Sequence, residues 1–359
     1  MLLRFLIVVV LLLPACAPRG KLVMAPADVA QTRAVFVATT RAESETELFG
    51  AVRQQGLTRA RFDIAVPPDR APGEISYPTT ISTPNPRKDF LVAGQKTYPE
   101  KALFRRDLQK SLARNDGEAV VFVHGYNMNF AEGLYRVAQL GTDFNLPGVL
   151  AHYSWPSKAH VLGYAYDRDS ALFARDGFAT LLKELRASGA RRIIIVGHSM
   201  GAALTMETLR QLRISGDSET ISRIAAVVLI SPDIDIDLFR AQAAKIAPLP
   251  QPFIIFTSKK DLALRLSARI SGESDRLGSL DDVGRLADLS VTVIDTAAFS
   301  TGGGHFNVGD SPALIALLQT TGQVAAVLEG EQNAHPDLAA GVVLTVRNAT
   351  QIVLAPLGG

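Results

Sequence analysis

The 359-residue chain has one cysteine and almost no net charge. A single cysteine excludes an intramolecular disulfide and any zinc or iron–sulfur site built from several thiolates. Lysine and arginine number 37 against 35 acidic residues, and the formal charge of +2 gives no support for binding nucleic acid, which needs a strongly basic face. We expect neither a metal ion nor an organic cofactor.

The N-terminus has the organisation of an export signal. Arg4 precedes the apolar run Phe5–Leu13, whose nine residues are too few to span a bilayer. The sequence LPAC that ends at Cys16 resembles a bacterial lipobox, which predicts a signal peptide over 1–15 and an envelope protein lipid-anchored through Cys16. Two alternatives remain open: cleavage after Ala17, which releases a soluble secreted or periplasmic chain, and a retained anchor.

The rest of the chain divides into three parts. Residues 16–32, with prolines and small side chains, are predicted to be a tether. Residues 33–324 are predicted to form a single α/β domain, and 325–359 a C-terminal extension. The extension is expected to contain a helix and then a hairpin made by Val342–Val346 and Gln351–Leu354.

Strand and helix signals alternate from residue 119 onward. Continuously apolar, β-branched runs are typical of strands buried on both faces of a parallel sheet. The pattern predicts a mostly parallel central sheet with helices on both faces and antiparallel strands at its start. The predicted strands are Ala34–Thr39, Arg61–Val66, Glu74–Tyr77, Ala119–Val123, Val149–Trp155, Arg192–Val196, Ile224–Ile230, Phe253–Thr257 and Val291–Ile294.

The most specific motif is the sequence GHSMG at residues 197–201. It lies between a predicted strand and a predicted helix, where a tight turn exposes Ser199 at the carboxyl end of the strand. The start of the following helix favours negative charge nearby. We interpret Ser199 as a nucleophile.

A serine nucleophile needs a general base, which in this arrangement follows it in the chain. His305 and His335 are the histidines that follow Ser199 at a distance. His305 lies in a glycine-rich loop after the last predicted strand of the domain, and we predict that it is the base. His335 precedes a proline in a polar stretch.

A carboxylate should orient the base. Asp261 follows the predicted strand Phe253–Thr257 and is the preferred candidate. Asp233 or Asp235, after the preceding strand, and Asp295, at the end of the last one, are the alternatives.

Two backbone N–H groups are predicted to hold the oxyanion. One belongs to Met200, directly after the nucleophile, and the other to Tyr126, in the loop after an early strand. Trp155 and Tyr164 are candidate pocket residues, although each has an alternative structural role. The cations at 259, 260, 265 and 269 are interpreted as a solvated helix face.

At these residues the chain resembles the α/β-hydrolase superfamily and, within it, a bacterial family of unknown function. The resemblance covers roughly 34–320. It implies the α/β-hydrolase fold and a serine hydrolase, and it supports Asp261 as the acid. The motifs that carry it are FVHGYN at 122–127, YSWPS at 153–157, GYAYDR at 163–168, GHSMG at 197–201, SPDID at 231–235 and SKKDLAL at 258–264.

These assignments predict a hydrolase that cleaves carboxylic esters through an acyl-enzyme. A small ester or acyl compound is the expected substrate. About 20 residues separate Ser231 from Phe253, which is too short for a large cap domain. Thioester, amide or acyl-transfer chemistry with the same triad stays open, as does a non-catalytic envelope scaffold.

Overall fold

The described part of the chain is built around one eleven-stranded sheet. The computed structural model describes residues 18–26, 31–45, 47–79, 82–272, 275–320 and 340–354, and the strands lie within these ranges. They are β1 (Thr32–Arg41), β2 (Arg53–Ala65), β3 (Leu91–Tyr98), β4 (Glu118–Val123), β5 (Val149–Ser154), β6 (Arg192–His198), β7 (Ile224–Ile230), β8 (Phe253–Thr257), β9 (Val291–Asp295), β10 (Ala340–Val346) and β11 (Ala349–Leu354).

Parallel pairing dominates this sheet, whose strand order is β10-β11-β9-β8-β7-β6-β4-β5-β1-β2-β3. Each neighbouring pair from β11 to β1 is parallel. Antiparallel pairing is confined to the edges, where β2 and β3 continue beyond β1 and β10 forms a hairpin with β11. The carboxyl ends of the parallel strands therefore meet at one edge, where their loops can converge on a ligand.

Helices follow most of the strands. They are α1 (Lys101–Ala113), α2 (Phe130–Asp143), α3 (Tyr164–Ala187), α4 (Met200–Ile214), α5 (Ser218–Ile221), α6 (Ile236–Ile246), α7 (Leu262–Ser271), α8 (Asn307–Asp310) and α9 (Pro312–Thr320). Short 3₁₀ turns occupy Leu277–Ser279, Val283–Leu286 and Ala297–Phe299. Within the described ranges, no helix has both the length and the apolar character needed to cross a membrane.

Apolar cores cover both faces of the sheet. Alternate side chains of β4 point to opposite faces, so Val121 and Val123 join one core while Val120 and Phe122 join the other. The first core receives side chains of α1, α3, α4 and α6, and the second those of α2 and α9. The predicted α/β-hydrolase fold, with its mostly parallel sheet and antiparallel early strands, is confirmed.

The strand predictions hold best in the parallel part. β4 to β9 begin and end within two residues of their predicted bounds. The predicted strand Glu74–Tyr77 is wrong: the segment has no ladder, and it packs through Tyr77, which stacks on Tyr135 of α2 with ring centroids 5.8 Å apart. The third early strand is β3 instead, whose polar side chains and Gly94 hide its strand character.

Both ends of the described chain lie against the domain. The predicted C-terminal hairpin is confirmed as β10 and β11, and β11 extends the central sheet by pairing with β9. Residues 18–26 belong to the predicted tether, yet their backbone bonds to the chain near β3: Val92 N–H donates to Val23 O at 2.8 Å, and Ala25 N–H donates to Val92 O at 2.7 Å. The predicted signal peptide, Cys16 and the predicted helix before the hairpin lie outside the described residues.

Candidate active site

Ser199 occupies the sharp turn between β6 and α4. Its backbone angles, φ 52° and ψ −119°, lie in a region that costs a non-glycine residue about 1–3 kcal/mol. Gly201 makes the turn possible, since a Cβ there would lie 2.3 Å from the carbonyl oxygen of His124 and 2.4 Å from that of Val123. The serine thus sits in strained backbone at the carboxyl edge of the sheet, as the nucleophile prediction requires.

His305 and Asp261 are brought together at the same edge. The Nδ1 atom of His305 lies 2.7 Å from Oδ2 of Asp261, although 44 residues separate them in sequence. Asp261 is completely buried, while a quarter of the His305 side chain is exposed. The other oxygen of Asp261 accepts from the Leu264 N–H at 2.9 Å and so caps α7. The contacts with the Leu264 N–H and with the His305 imidazole together hold the Asp261 carboxylate in one orientation.

The other candidate carboxylates make structural contacts. Asp233 accepts from the Tyr164 hydroxyl at 2.9 Å and the Ser267 hydroxyl at 2.8 Å, and its Oδ1 lies 3.3 Å from Nε of buried Arg276. Asp235 accepts from the Leu238 N–H and caps α6. Asp295 accepts from the Ala297 N–H at 2.8 Å. His335, the other candidate base, lies outside the described residues.

The loop after β4 carries the predicted oxyanion donor Tyr126. Gly125 lies against the nucleophile, because a Cβ on it would meet the Ser199 Cβ at 3.0 Å and Nδ1 of His198 at 2.7 Å. The Tyr126 hydroxyl donates to the Val161 carbonyl at 2.5 Å, which ties this loop to the loop before α3. Met200, the other predicted donor, is the first residue of α4, where backbone N–H groups have no partner inside the helix.

Arg41 is the main site residue that sequence reasoning missed. Its side chain is completely buried and donates to the Met128 carbonyl at 2.8 Å, the Ser154 hydroxyl at 2.9 Å and the Ser157 carbonyl at 3.2 Å. Burial lowers the pKa of Arg41 to about 10, and the charge of Asp167 opposes this. The guanidinium thus joins the end of β1 to the loops after β4 and β5.

Asp167 holds the same loops from the other side. One carboxylate oxygen accepts from the Asn127 N–H at 3.2 Å and the Ser157 hydroxyl at 2.6 Å, and the other accepts from the Lys158 N–H at 2.6 Å. Burial raises the pKa of this carboxyl, and the three hydrogen bonds work against the rise. Because Asn127 directly follows Tyr126, Asp167 fixes the backbone beside the predicted oxyanion donor.

Both candidate pocket residues contact the loop after β4. Trp155 is completely buried, so it supports the loop rather than lining an accessible pocket. Its ring stacks on His124 with centroids 4.7 Å apart, and its Nε1 donates to the His124 carbonyl at 2.7 Å. Tyr164 packs edge-on against Tyr126 with centroids 5.5 Å apart.

Three buried histidines surround this site. Burial holds the pKa of His124 and of His198 well below the ordinary value of 6.5, and neighbouring positive charge lowers both further. Burial lowers the pKa of His152 to about 3. All three are therefore neutral at pH 7. No group of three or more His, Cys, Asp or Glu side chains in the described ranges is arranged to hold a metal ion.

Acidification should destabilise the fold through these histidines. Below pH 6.5 the unfolded chain binds protons that the buried imidazoles do not, so stability is lost as the pH falls from 6.5 towards the lowered values. Three groups acting together cost about 1 kcal/mol between pH 7.5 and 6.5 and about 3 kcal/mol between pH 6.5 and 5.5. Urea unfolding at the three pH values measures both steps.

A single substitution tests whether the loss of stability at low pH comes from the buried histidines. His152→Gln should remove about a third of the loss between pH 6.5 and 5.5. Equal stability of the unsubstituted chain at pH 7.5 and 5.5 would contradict the neutral, buried state of the three rings.

Comparison with solved structures finds distant similarities. A solved esterase from Rhizomucor miehei is similar over 84% of this chain and 86% of its own, with 12% identity and a TM-score of 0.42. A solved carboxylesterase from a metagenomic library covers 86% of this chain and 92% of its own, with 14% identity and a TM-score of 0.35. Similarities this distant say nothing about substrate.

Sequence comparison is more informative. No curated protein matches the chain. The family described as alpha/beta hydrolase of unknown function (DUF900) matches residues 100–320, which is more than half of the 359 residues. The chain therefore belongs to this alpha/beta hydrolase family.

Proposed function

We propose that the protein is a serine hydrolase that cleaves carboxylic esters through a Ser199–His305–Asp261 triad. The observation that carries the proposal is the 2.7 Å contact between His305 Nδ1 and Asp261 Oδ2, at the sheet edge where Ser199 occupies a strained turn. An imidazole oriented by a buried carboxylate is the base that a serine nucleophile needs. The family has no assigned function, so the ester bond is our inference from this site.

Acylation begins when the Ser199 hydroxyl oxygen attacks the ester carbonyl carbon. His305 Nε2 takes the hydroxyl proton, and Asp261 stabilises the resulting imidazolium without itself taking the proton. The tetrahedral oxyanion accepts hydrogen bonds from the N–H groups of Tyr126 and Met200, each worth about 10²–10³ in rate. When the intermediate collapses, His305 returns the proton to the leaving alkoxide, and the acyl group stays on Ser199.

Water then completes the cycle. His305 takes a proton from the water as it attacks the acyl-enzyme, the same N–H groups hold the second oxyanion, and His305 returns the proton to the Ser199 oxygen. A carboxylic acid is released and no cofactor is consumed. The short connection between β7 and β8, which contains only α6, favours an open site that takes small esters or a substrate presented at a surface.

An envelope location completes the proposal. Cleavage before Cys16 and acylation of its thiol would hold the catalytic domain at a membrane. Mass spectrometry of the mature N-terminus tests this directly: an acylated Cys16 is expected, and an unmodified chain that starts at Pro18 would contradict it.

A fluorophosphonate probe tests the nucleophile. The unsubstituted chain should be labelled at one site, and Ser199→Ala should abolish both labelling and hydrolysis of short p-nitrophenyl esters, the latter by about 10⁴-fold or more. Ser231→Ala is a matched control, because Ser231 is also a buried serine with positive φ, 45°, at the end of the neighbouring strand.

Two results would contradict the proposal. Labelling that survives Ser199→Ala would move the nucleophile, and a chain with neither labelling nor turnover would favour a non-catalytic envelope scaffold. Matched esters, thioesters and amides of one acyl group then establish the bond class, with the ester expected to be cleaved fastest.

A further inference from the structure

Helix α7, which starts directly after Asp261, exposes an apolar stripe. Leu262, Leu266 and Ile270 recur every four residues, and each is 57% exposed. The next stripe on the exposed side carries Arg265 and Arg269. The opposite side of the helix packs inward through Leu264 and Ala268. Three large apolar side chains exposed side by side on one short helix indicate a surface that another molecule covers.

Cations surround this apolar stripe. Lys259 and Lys260 precede the helix and are exposed, like Arg265 and Arg269. Within the described residues, no ion pair joins any of these four side chains to a carboxylate. Apolar side chains flanked by unpaired cations are typical of helices that lie in the surface of an anionic membrane.

A second exposed apolar element lies directly before α3, whose first residue shares Asp233 as a hydrogen-bond partner with α7. Val161 and Leu162, in the loop before α3, are 42% and 86% exposed. Asp233 connects the two elements, because it accepts hydrogen bonds from Tyr164, at the start of α3, and from Ser267 of α7. The loop and α7 therefore flank the same stretch of the sheet edge.

The N-terminal segment reaches this edge as well. Arg19 donates to the Asn127 side-chain oxygen at 3.0 Å and to the Asn127 carbonyl at 2.9 Å. Asn127 directly follows Tyr126, the predicted oxyanion donor. Gly20 N–H donates to Glu132 at 2.9 Å.

We propose that α7, with the loop 158–163, is a docking face for an anionic phospholipid surface, which holds the active-site edge against the membrane. Leu262, Leu266 and Ile270 enter the headgroup region, and the four cations bind lipid phosphates. The docking does not depend on catalysis. If the proposed hydrolase function holds, the substrate is an acyl ester at or in that surface.

The single native cysteine allows a direct test. In a chain carrying Cys16→Ser, Leu266→Cys is labelled with an environment-sensitive nitrobenzoxadiazole fluorophore and mixed with vesicles of phosphatidylglycerol and phosphatidylcholine. The emission should shift to the blue on the mixed vesicles and much less on pure phosphatidylcholine. Adding Arg265→Gln and Arg269→Gln should weaken binding to the anionic vesicles roughly tenfold or more.

The matched control places the label elsewhere. Ile214 is 61% exposed, but it ends α4, about 20 Å along the helix from Ser199, so Ile214→Cys should report no blue shift. Ser199→Ala combined with Leu266→Cys should shift as strongly as Leu266→Cys alone. That pairing separates failure of docking from failure of the hydrolase proposal.

Three results would overturn the docking face. Equal shifts at positions 266 and 214, or none at either, would mean that α7 does not meet the lipid. Equal shifts on anionic and neutral vesicles would remove the role of the cations. A blue shift at Leu266→Cys that grows with protein concentration without vesicles would assign the stripe to a second copy of the chain.

Discussion

His305→Ala should lower kcat for a short p-nitrophenyl ester by about 10⁴-fold or more, with little change in KM. The imidazole accepts the Ser199 proton only as the oxyanion forms, so its loss affects the transition state more than substrate binding. Nucleophile and base act as one unit, and adding Ser199→Ala should therefore cost almost nothing further. Steady-state kinetics of the two single variants and the double variant measure this.

The other histidines provide the controls. His335→Ala tests the alternative base that sequence reasoning left open, and it should keep full turnover. Circular dichroism and the thermal midpoint of His305→Ala should match those of the unsubstituted chain, because His305 is partly exposed and belongs to a loop. A His305→Ala enzyme with more than a tenth of the original kcat would show that another group is the base.

The fold was predictable where local pattern and burial agree. β4 to β9 are rich in apolar side chains because both faces of the sheet are covered, and such runs are visible without knowing their partners. β3 was missed because it lies at the edge of the sheet, where Gln95 and Lys96 are exposed on opposite faces and the apolar pattern is lost. The strand predicted at Glu74–Tyr77 failed because this segment pairs with no other strand. Ile75 and Tyr77 pack against the second core, where Tyr77 stacks on Tyr135 of α2.

The residues of the candidate site were likewise predictable where they form a local motif and were missed where their partners are distant in sequence. Gly201 and Ser199 belong to one short turn, so the strained backbone follows from five consecutive residues. Arg41 has no such local signature: its partners at Met128 and Ser154 lie 87 and 113 residues away. Only the folded chain reveals that this arginine supports the loop after β4, which carries the predicted oxyanion donor Tyr126.

Asp167 is hidden from sequence reasoning for a related reason. A carboxylate in the first turn of a helix is favourable at the positive end of the helix dipole, and this local preference does not reveal a distant partner. The carboxylate of Asp167 is buried and accepts from the N–H groups of Asn127 and Lys158, 40 and 9 residues away. The exposed arginines of α7 agree with the solvated helix face interpreted from the sequence. The proposed docking face depends in addition on the exposed apolar stripe beside them, which only the structure shows.

Asp261→Asn should lower kcat by about 10⁴-fold while leaving the fold intact. An amide can present its NH₂ group to Nδ1 of His305, which forces the proton onto Nε2 and leaves no lone pair to accept the Ser199 proton. Asparagine caps a helix as well as aspartate does, so the bond from the Leu264 N–H to residue 261 should persist. Kinetics and urea unfolding of the same preparation separate the two roles. Asp261→Ala should match the rate loss and, in addition, cost about 1 kcal/mol of stability through the missing cap.

Asp233→Asn is the matched comparison, since it removes the same charge from the carboxylate that sequence reasoning kept as the alternative. Asp233 lies against buried Arg276 and accepts from Tyr164 and Ser267, so its neutralisation should lower the free energy of unfolding by about 3 kcal/mol or more. The rate per folded molecule should change less than tenfold, because none of these partners touches His305. The two variants thus predict opposite patterns, a loss of rate at constant stability for Asp261→Asn and a loss of stability at nearly constant rate for Asp233→Asn. The reverse pattern would transfer the acid of the triad to Asp233 and leave Asp261 as a helix cap.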